Sequence, residues 1–151
     1  MYGQNAIATW LETTPSHIRD GSADVAFAVR TLHNFARRGY FNEGVADIHT
    51  ALKTGGHLVV VQHRANENFT GTSEEANQLG RFKQSDLVAK IEAFGFKLVA
   101  SDEMNANAKD PQDVSVWELP PTLRNVDDND GKFKNAGESD RMTLKFVKVG
   151  S

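Results

Sequence analysis

Two apolar runs joined by an amphipathic one constrain this chain more than any other feature. The first reads Asp-Val-Ala-Phe-Ala-Val-Arg-Thr-Leu-His-Asn from Asp24. The second reads Lys-Thr-Gly-Gly-His-Leu-Val-Val-Val-Gln-His-Arg and ends at Arg64. Val25, Phe27 and Val29 interleave with Ala26 and Ala28, which predicts a strand over residues 24–32 with one small-residue face for a close-packed helix. Phe41, Val45, Ile48 and Leu52 recur at helical spacing and predict a helix over 41–53. Asn42 is placed to cap it, and Gly55-Gly56 to stop it. Leu58-Val59-Val60-Val61 is continuously apolar, as in a central strand covered on both faces, here over 57–62. Strand, short helical link and strand imply a right-handed parallel βαβ unit. Polar residues cluster where each strand ends, and that carboxyl edge is where open α/β sheets bind ligands.

The rest of the chain extends this unit. Residues 6–12 predict a short strand. Residues 64–82 are polar and read as a surface loop with a helical turn near 74–79. Ser85 is placed to cap a helix carried by Leu87, Ile91 and Phe94 and ended by Gly95. Residues 96–101 predict a further strand. From 105 to 140 the composition turns to Asn, Asp and Gly with Pro111, Pro120 and Pro121. So long a loop is unusual inside a compact domain, and a short hairpin around 114–119 is expected within it, followed by a partly mobile segment around 125–137. Trp117 with Pro120-Pro121 reads as a hydrophobic anchor or as a lid. Met142, Leu144 and Phe146 alternate with Thr143 and Lys145, which predicts a final strand over 142–149 that is antiparallel.

Composition excludes several classes of function. The 151 residues suit one domain over 1–151. There is no Cys, so disulfides and thiolate metal sites are ruled out. A formal net charge of -3, from 17 basic and 20 acidic residues, gives no electrostatic case for nucleic acid or an anionic membrane as partner. No apolar run approaches the ~20 residues of a membrane span, and Met1-Tyr2-Gly3-Gln4-Asn5 does not open a signal peptide. A cytoplasmic location is the expectation.

The candidate site follows from the strand ends. Arg30, His33 and Asn34 fall where the first strand of the unit stops, and His63 and Arg64 where the second does. His33 is suited to act as a base near neutral pH, or to cap a loop by hydrogen bonds. Arg64 is suited to clamp a carboxylate or phosphate, or to pair with Asp24, Asp140 or a loop carboxylate. His33 and His63 approach across adjacent strand ends, yet two histidines are not a coordination sphere and no metal is expected. His17, His49 and His57 read as structural or exposed. Asp140 and Arg141 read as a local ion pair or turn.

Several segments carry a resemblance. Gly21-Ser22-Ala23-Asp24-Val25 resembles the lead into the fourth strand of class I S-adenosylmethionine-dependent methyltransferases. Ala51-Leu52-Lys53-Thr54-Gly55-Gly56-His57-Leu58 resembles their helix and fifth strand, with Thr54 in place of the more usual Pro. Glu92-Ala93-Phe94-Gly95-Phe96-Lys97-Leu98 resembles the lead into their sixth. Leu32-His33-Asn34, His63-Arg64-Ala65, Asn105-Ala106-Asn107 with Asp110, and the run from Asp140 to Phe146 resemble a group of bacterial predicted methyltransferases. The resemblance implies a three-layer, Rossmann-like α/β fold with strand order 3-2-1-4-5-7-6, of which residues 20–149 match the second half. Residues 6–12 match the third strand most weakly.

The Gly-rich cofactor loop that follows the family's first strand has no counterpart in these residues. By this resemblance His33 and His63 would be catalytic, and Arg30, Asn34 and Arg64 would line the side of the methyl acceptor. S-adenosylmethionine would be bound only if another chain completes the site. The alternative is a non-catalytic binding module, homodimeric through the strand at 24–32, since that strand is otherwise a long apolar edge.

Overall fold

The computed structural model describes residues 20–128 and 130–150. The strand expected at 6–12, and His17, lie outside them. Four strands form one sheet: β1 (Ala23–Val29), β2 (Leu52–His63), β3 (Phe96–Asp102) and β4 (Arg141–Lys148). Their order is β1-β2-β4-β3, with β1 parallel to β2 and β4 antiparallel to both of its neighbours. This is the fourth, fifth, seventh and sixth strand of the expected sheet, with the last strand inserted as predicted.

Four helices accompany the sheet: α1 (Leu32–Arg37), α2 (Phe41–Ala51), α3 (Ser73–Gln78) and α4 (Gln84–Glu92). One core holds α1, α2 and α4 to it. Leu58 and Val60 of β2, Leu144 and Phe146 of β4, and Phe96 of β3 meet Leu32, Phe41, Val45, Leu87 and Ile91 from the helices. In β1 only Ala28 is buried, and its small side chain leaves room for the helices above. The opposite face differs. Val25, Phe27 and Val29 are 46%, 72% and 53% exposed, and among the described residues no helix covers them. Of the three layers expected, the described residues supply the sheet and the helices on one side.

Several boundaries differ from those expected. β1 stops at Val29 rather than Leu32, because Arg30 turns into the left-handed region at φ 54°. Leu32 then opens α1, a helix missed in the sequence, whose Leu32 and Phe35 are buried three residues apart. α2 ends at Ala51, not at the glycines. Leu52 is already extended and pairs with Ala23, and Lys148 Nζ donates to the carbonyls of His49 (2.7 Å) and Leu52 (2.8 Å) at the helix end. Gly55-Gly56 instead lies inside β2, where the register against β1 shifts. A Cβ at Gly56 would stand 2.8 Å from the Lys53 carbonyl oxygen and 3.2 Å from that of Asp24, so only glycine fits that approach.

Neither Asn42 nor Ser85 caps its helix, since those helices begin after Tyr40 and Lys83. The capping box is at α3, where Thr72 and Glu75 satisfy each other's backbone N–H groups. The hairpin expected at 114–119 is a 3-10 turn, Val116–Glu118. Its backbone bonds elsewhere: the Val114 carbonyl accepts from Arg81 Nε and the Val116 N–H donates to Leu79.

Candidate functional site

The carboxyl ends of β1 and β2 lie side by side, with Val29 paired to Val61. From them the chain builds two arrangements, one closed and one open.

The closed one is a clasp on the long segment 105–140. Arg64 donates from Nε to Asp140 at 2.7 Å and from Nη2 to Glu103 at 2.6 Å, and also reaches Gln84 at 3.2 Å. Arg81, with a fully buried side chain, holds both oxygens of the equally buried Asp110 at 2.8 and 2.9 Å. It also donates to the carbonyls of Arg64 and Val114. Asp110 accepts the Asp140 N–H, and Asp140 accepts the Asn107 N–H and the Gln112 side-chain amide. Desolvation pushes the Asp140 carboxyl up, but Arg64, the Asn107 N–H and Gln112 outweigh it, so its net shift is downward. The hydrogen bonds that Arg64 donates to Glu103, then to Asp140, raise its pKa, and the same bond lowers that of Glu103.

The open arrangement is a cleft of about 210 Å³. His33 and His63 form its floor, each 4% exposed, with ring centroids 5.2 Å apart. Trp117 stands 5.9 Å from the His33 ring, itself covered by the Arg37 guanidinium at 4.6 Å. Pro120 and Pro121 continue that wall, so Trp117 and the two prolines do border the site. Arg30, Asn34, Ser139 and the Arg141–Glu138 ion pair complete the rim.

Burial dominates the titration of the floor. Desolvation lowers His33 to about 4, aided by Arg37 and Arg30. It lowers His63 to about 3, with His33, Arg30, Arg81 and Arg141 adding repulsion. Both rings are therefore neutral at pH 7.

The His33 tautomer follows from Gln62. Gln62 Nε2 lies 3.2 Å from the Gly80 carbonyl oxygen and 3.1 Å from His33 Nδ1. A carbonyl only accepts, so that end of the amide is the NH₂ and His33 Nδ1 is the acceptor. The hydrogen of a neutral His33 then sits on Nε2. This changes the role expected from sequence: toward the cleft, His33 is a donor rather than a base. His63 Nδ1 lies 2.5 Å from the buried Ser139 hydroxyl, which suits either tautomer.

Of the five residues marked in the sequence, Arg30, His33, Asn34 and His63 line the cleft. Arg64 does not, being engaged in the clasp with Asp140, one of the partners the sequence suggested. Gln62, Ser139 and Arg81 were missed. Gln62 sits at the end of an apolar strand, where a fully buried amide is itself the signal. Ser139 lies 76 residues from its partner, and nothing local marks it. Among the described residues no group of three potential metal ligands converges, and no helix is long and apolar enough to cross a membrane.

No protein-family model and no curated protein matches the chain. Solved structures do. The [4+2]-cyclase SpnF superposes at TM-score 0.56 and 20% identity, over 87% of this chain and 52% of that one. A SAM-dependent methyltransferase from Methanosarcina mazei gives 0.55 and 10%, over 89% and 63%. Geranyl diphosphate C-methyltransferase from Streptomyces coelicolor, solved with Mg²⁺, geranyl diphosphate and S-adenosyl-L-homocysteine, gives 0.52 and 11%, over 89% and 49%. The chain spans roughly half to two thirds of these structures, and at such identities it shares their fold.

Proposed function

We propose that this chain, which has the fold of the carboxyl-terminal half of class I S-adenosylmethionine-dependent methyltransferases, is the acceptor-side half of such a protein. It acts on a small molecule in the cytoplasm, and only when another polypeptide completes the cofactor site. The observation that carries this reading is the cleft at the carboxyl ends of β1 and β2, on a sheet whose order is that of the second half of the fold. A fold alone does not confer activity, and a cyclase shares this one.

The residues present do not themselves fit the cofactor. β1 passes into α1 through Arg30 and Thr31, and β2 passes into Arg64 and Ala65, with no glycine in either turn. Neither offers the bare backbone that a Gly-rich loop gives a nucleoside. The cofactor half would add along the open β1 edge and over Val25, Phe27 and Val29.

A second reading is favoured by those same exposed side chains: a non-catalytic homodimer that covers the β1 edge with a second copy. One experiment separates the two. The chain is first sized by sedimentation, then titrated calorimetrically with S-adenosylmethionine and S-adenosylhomocysteine. A folded monomer with no cofactor binding until a Gly-rich half is added supports the first reading. A dimer without cofactor binding supports the second. A monomer that stays unresponsive to cofactor when that half is added contradicts both.

A further inference from the structure

The cleft has an excess of hydrogen-bond donors and of positive charge. Arg30 is exposed, and its guanidinium has no ion-pair or hydrogen-bond partner among the described residues. Its backbone is held at φ 54°, a conformation non-glycine residues seldom adopt, directly after the last paired residue of β1. The Arg30 N–H still donates to Val61 at 2.7 Å, which fixes the strained residue at the cleft mouth. The one carboxylate in the lining, Glu138, is paired with Arg141, and Arg30 acts on it only at longer range, as a minor contribution to its lowered pKa. On the floor, Nε2 of His33 carries a hydrogen and has no partner among the described residues. On the rim, the Asn34 side-chain amide likewise has no partner among the described residues. When the Ser139 hydroxyl donates to His63 Nδ1, the Nε2 of His63 becomes a further donor.

We infer that the cleft binds a small oxyanion, above all a carboxylate, with Arg30 supplying the charge at the mouth, His33 Nε2–H donating from the floor and the Asn34 amide from the rim. A charged acceptor fits unpaired donors and a cation in a partly desolvated site better than a neutral ligand does. The volume of about 210 Å³ is below the ~300 Å³ at which drug-sized pockets begin, so the ligand is small. Trp117, Pro120 and Pro121 border one side, but the accessible lining is mostly polar, which suits a compact carboxylate. The inference rests on the cleft being the acceptor site and deepens that reading by naming the acceptor's chemical class.

The test uses benzoate and inorganic phosphate as probes, benzamide as the neutral isostere of benzoate, and calorimetry with amide chemical-shift mapping as readouts. Benzoate or phosphate should bind saturably and shift residues of the cleft, while benzamide binds more weakly. Arg30→Gln should weaken the anion by about tenfold or more, as removal of a charge-assisted hydrogen bond does. Asn34→Ala, a half-buried position, should weaken it too, and Lys90→Gln on the exposed side of α4 should leave it unchanged. No saturable anion binding, equal binding of benzamide, or full affinity in Arg30→Gln overturns the inference. No S-adenosylmethionine is present in this titration. Anion binding without later cofactor binding therefore leaves the cleft assignment standing while methyl transfer falls, and the reverse result does the opposite.

Discussion

His63 and Arg64 are neighbours in the chain and serve opposite arrangements. Alternation along β2 sends His63 to the floor of the cleft and Arg64 into the clasp. In the clasp every charged group has found its counter-charge: Arg64 with Asp140 and Glu103, Arg81 with Asp110. In the cleft the floor is neutral, and Arg30 has no hydrogen bond or close ion pair among the described residues, with Glu138 reached only at longer range. The first arrangement fixes the 105–140 segment against the sheet. The second leaves donors open at a place that segment helps to wall. A structure tolerates unsatisfied groups where something else holds the walls still, and here the clasp holds the segment that carries Trp117 and Ser139.

The largest expected effect comes from breaking the clasp at its buried centre. Arg81→Met leaves Asp110 as an uncompensated buried carboxylate and should cost about 3–5 kcal/mol in urea unfolding. The next effect belongs to the cleft and is read in acid. The folded-state pKa values of His33 and His63, about 4 and about 3, lie below the unfolded value of 6.5. Between those values the unfolded chain binds more protons, so stability rises with pH and is lost as pH falls below 6.5. At pH 5.5 the two histidines together should cost about 2–3 kcal/mol relative to pH 7.5. A double His33→Gln, His63→Gln variant should flatten that part of the pH profile, and an unchanged slope would place the acid sensitivity elsewhere.

Smaller effects sharpen the contrast. Arg64→Ala removes one partner of Asp140, which keeps its bonds from Asn107 and Gln112, so it should cost about 1–2 kcal/mol. It should also raise amide hydrogen exchange at Asn107 and Asp140 more than in β2. The smallest effect is on the bare face. Phe27→Lys should change monomer stability by no more than ~0.5 kcal/mol, as surface substitutions do. If a second copy covers that face, the same change should dissociate the dimer in sedimentation, and a dimer unmoved by it would put the interface elsewhere.

The sheet was legible in the sequence because its signals are local. The unbroken apolar run from Leu58 to Val61 marked a central strand, although only Leu58 and Val60 are buried and Val59 and Val61 are half-buried among the described residues; Met142, Leu144 and Phe146 marked a half-covered one. α1 was not legible, since Leu32, His33 and Phe35 follow the apolar strand with only the turn at Arg30 to separate them. Arg30, His33, Asn34 and His63 were marked because ligands gather at strand ends, and the structure lines one cleft with them. Arg64 was placed with them because periodicity does not tell which neighbour a long side chain will reach. Asp140, 76 residues away, decides that. The donor role of His33 was equally invisible, since it depends on Gln62 being turned by the Gly80 carbonyl.

Nitrogen-15 NMR of the histidine rings tests the central contrast most directly, because it reads tautomer and charge at each nitrogen as pH is changed. At roughly pH 6 both His33 and His63 should be neutral, with the His33 hydrogen on Nε2 and Nδ1 accepting from Gln62. His33 should begin to charge only as the pH approaches about 4. A His33 ring already cationic near neutral pH, or one that carries its hydrogen on Nδ1, would contradict this: the cleft would then be neither neutral-floored nor built to donate.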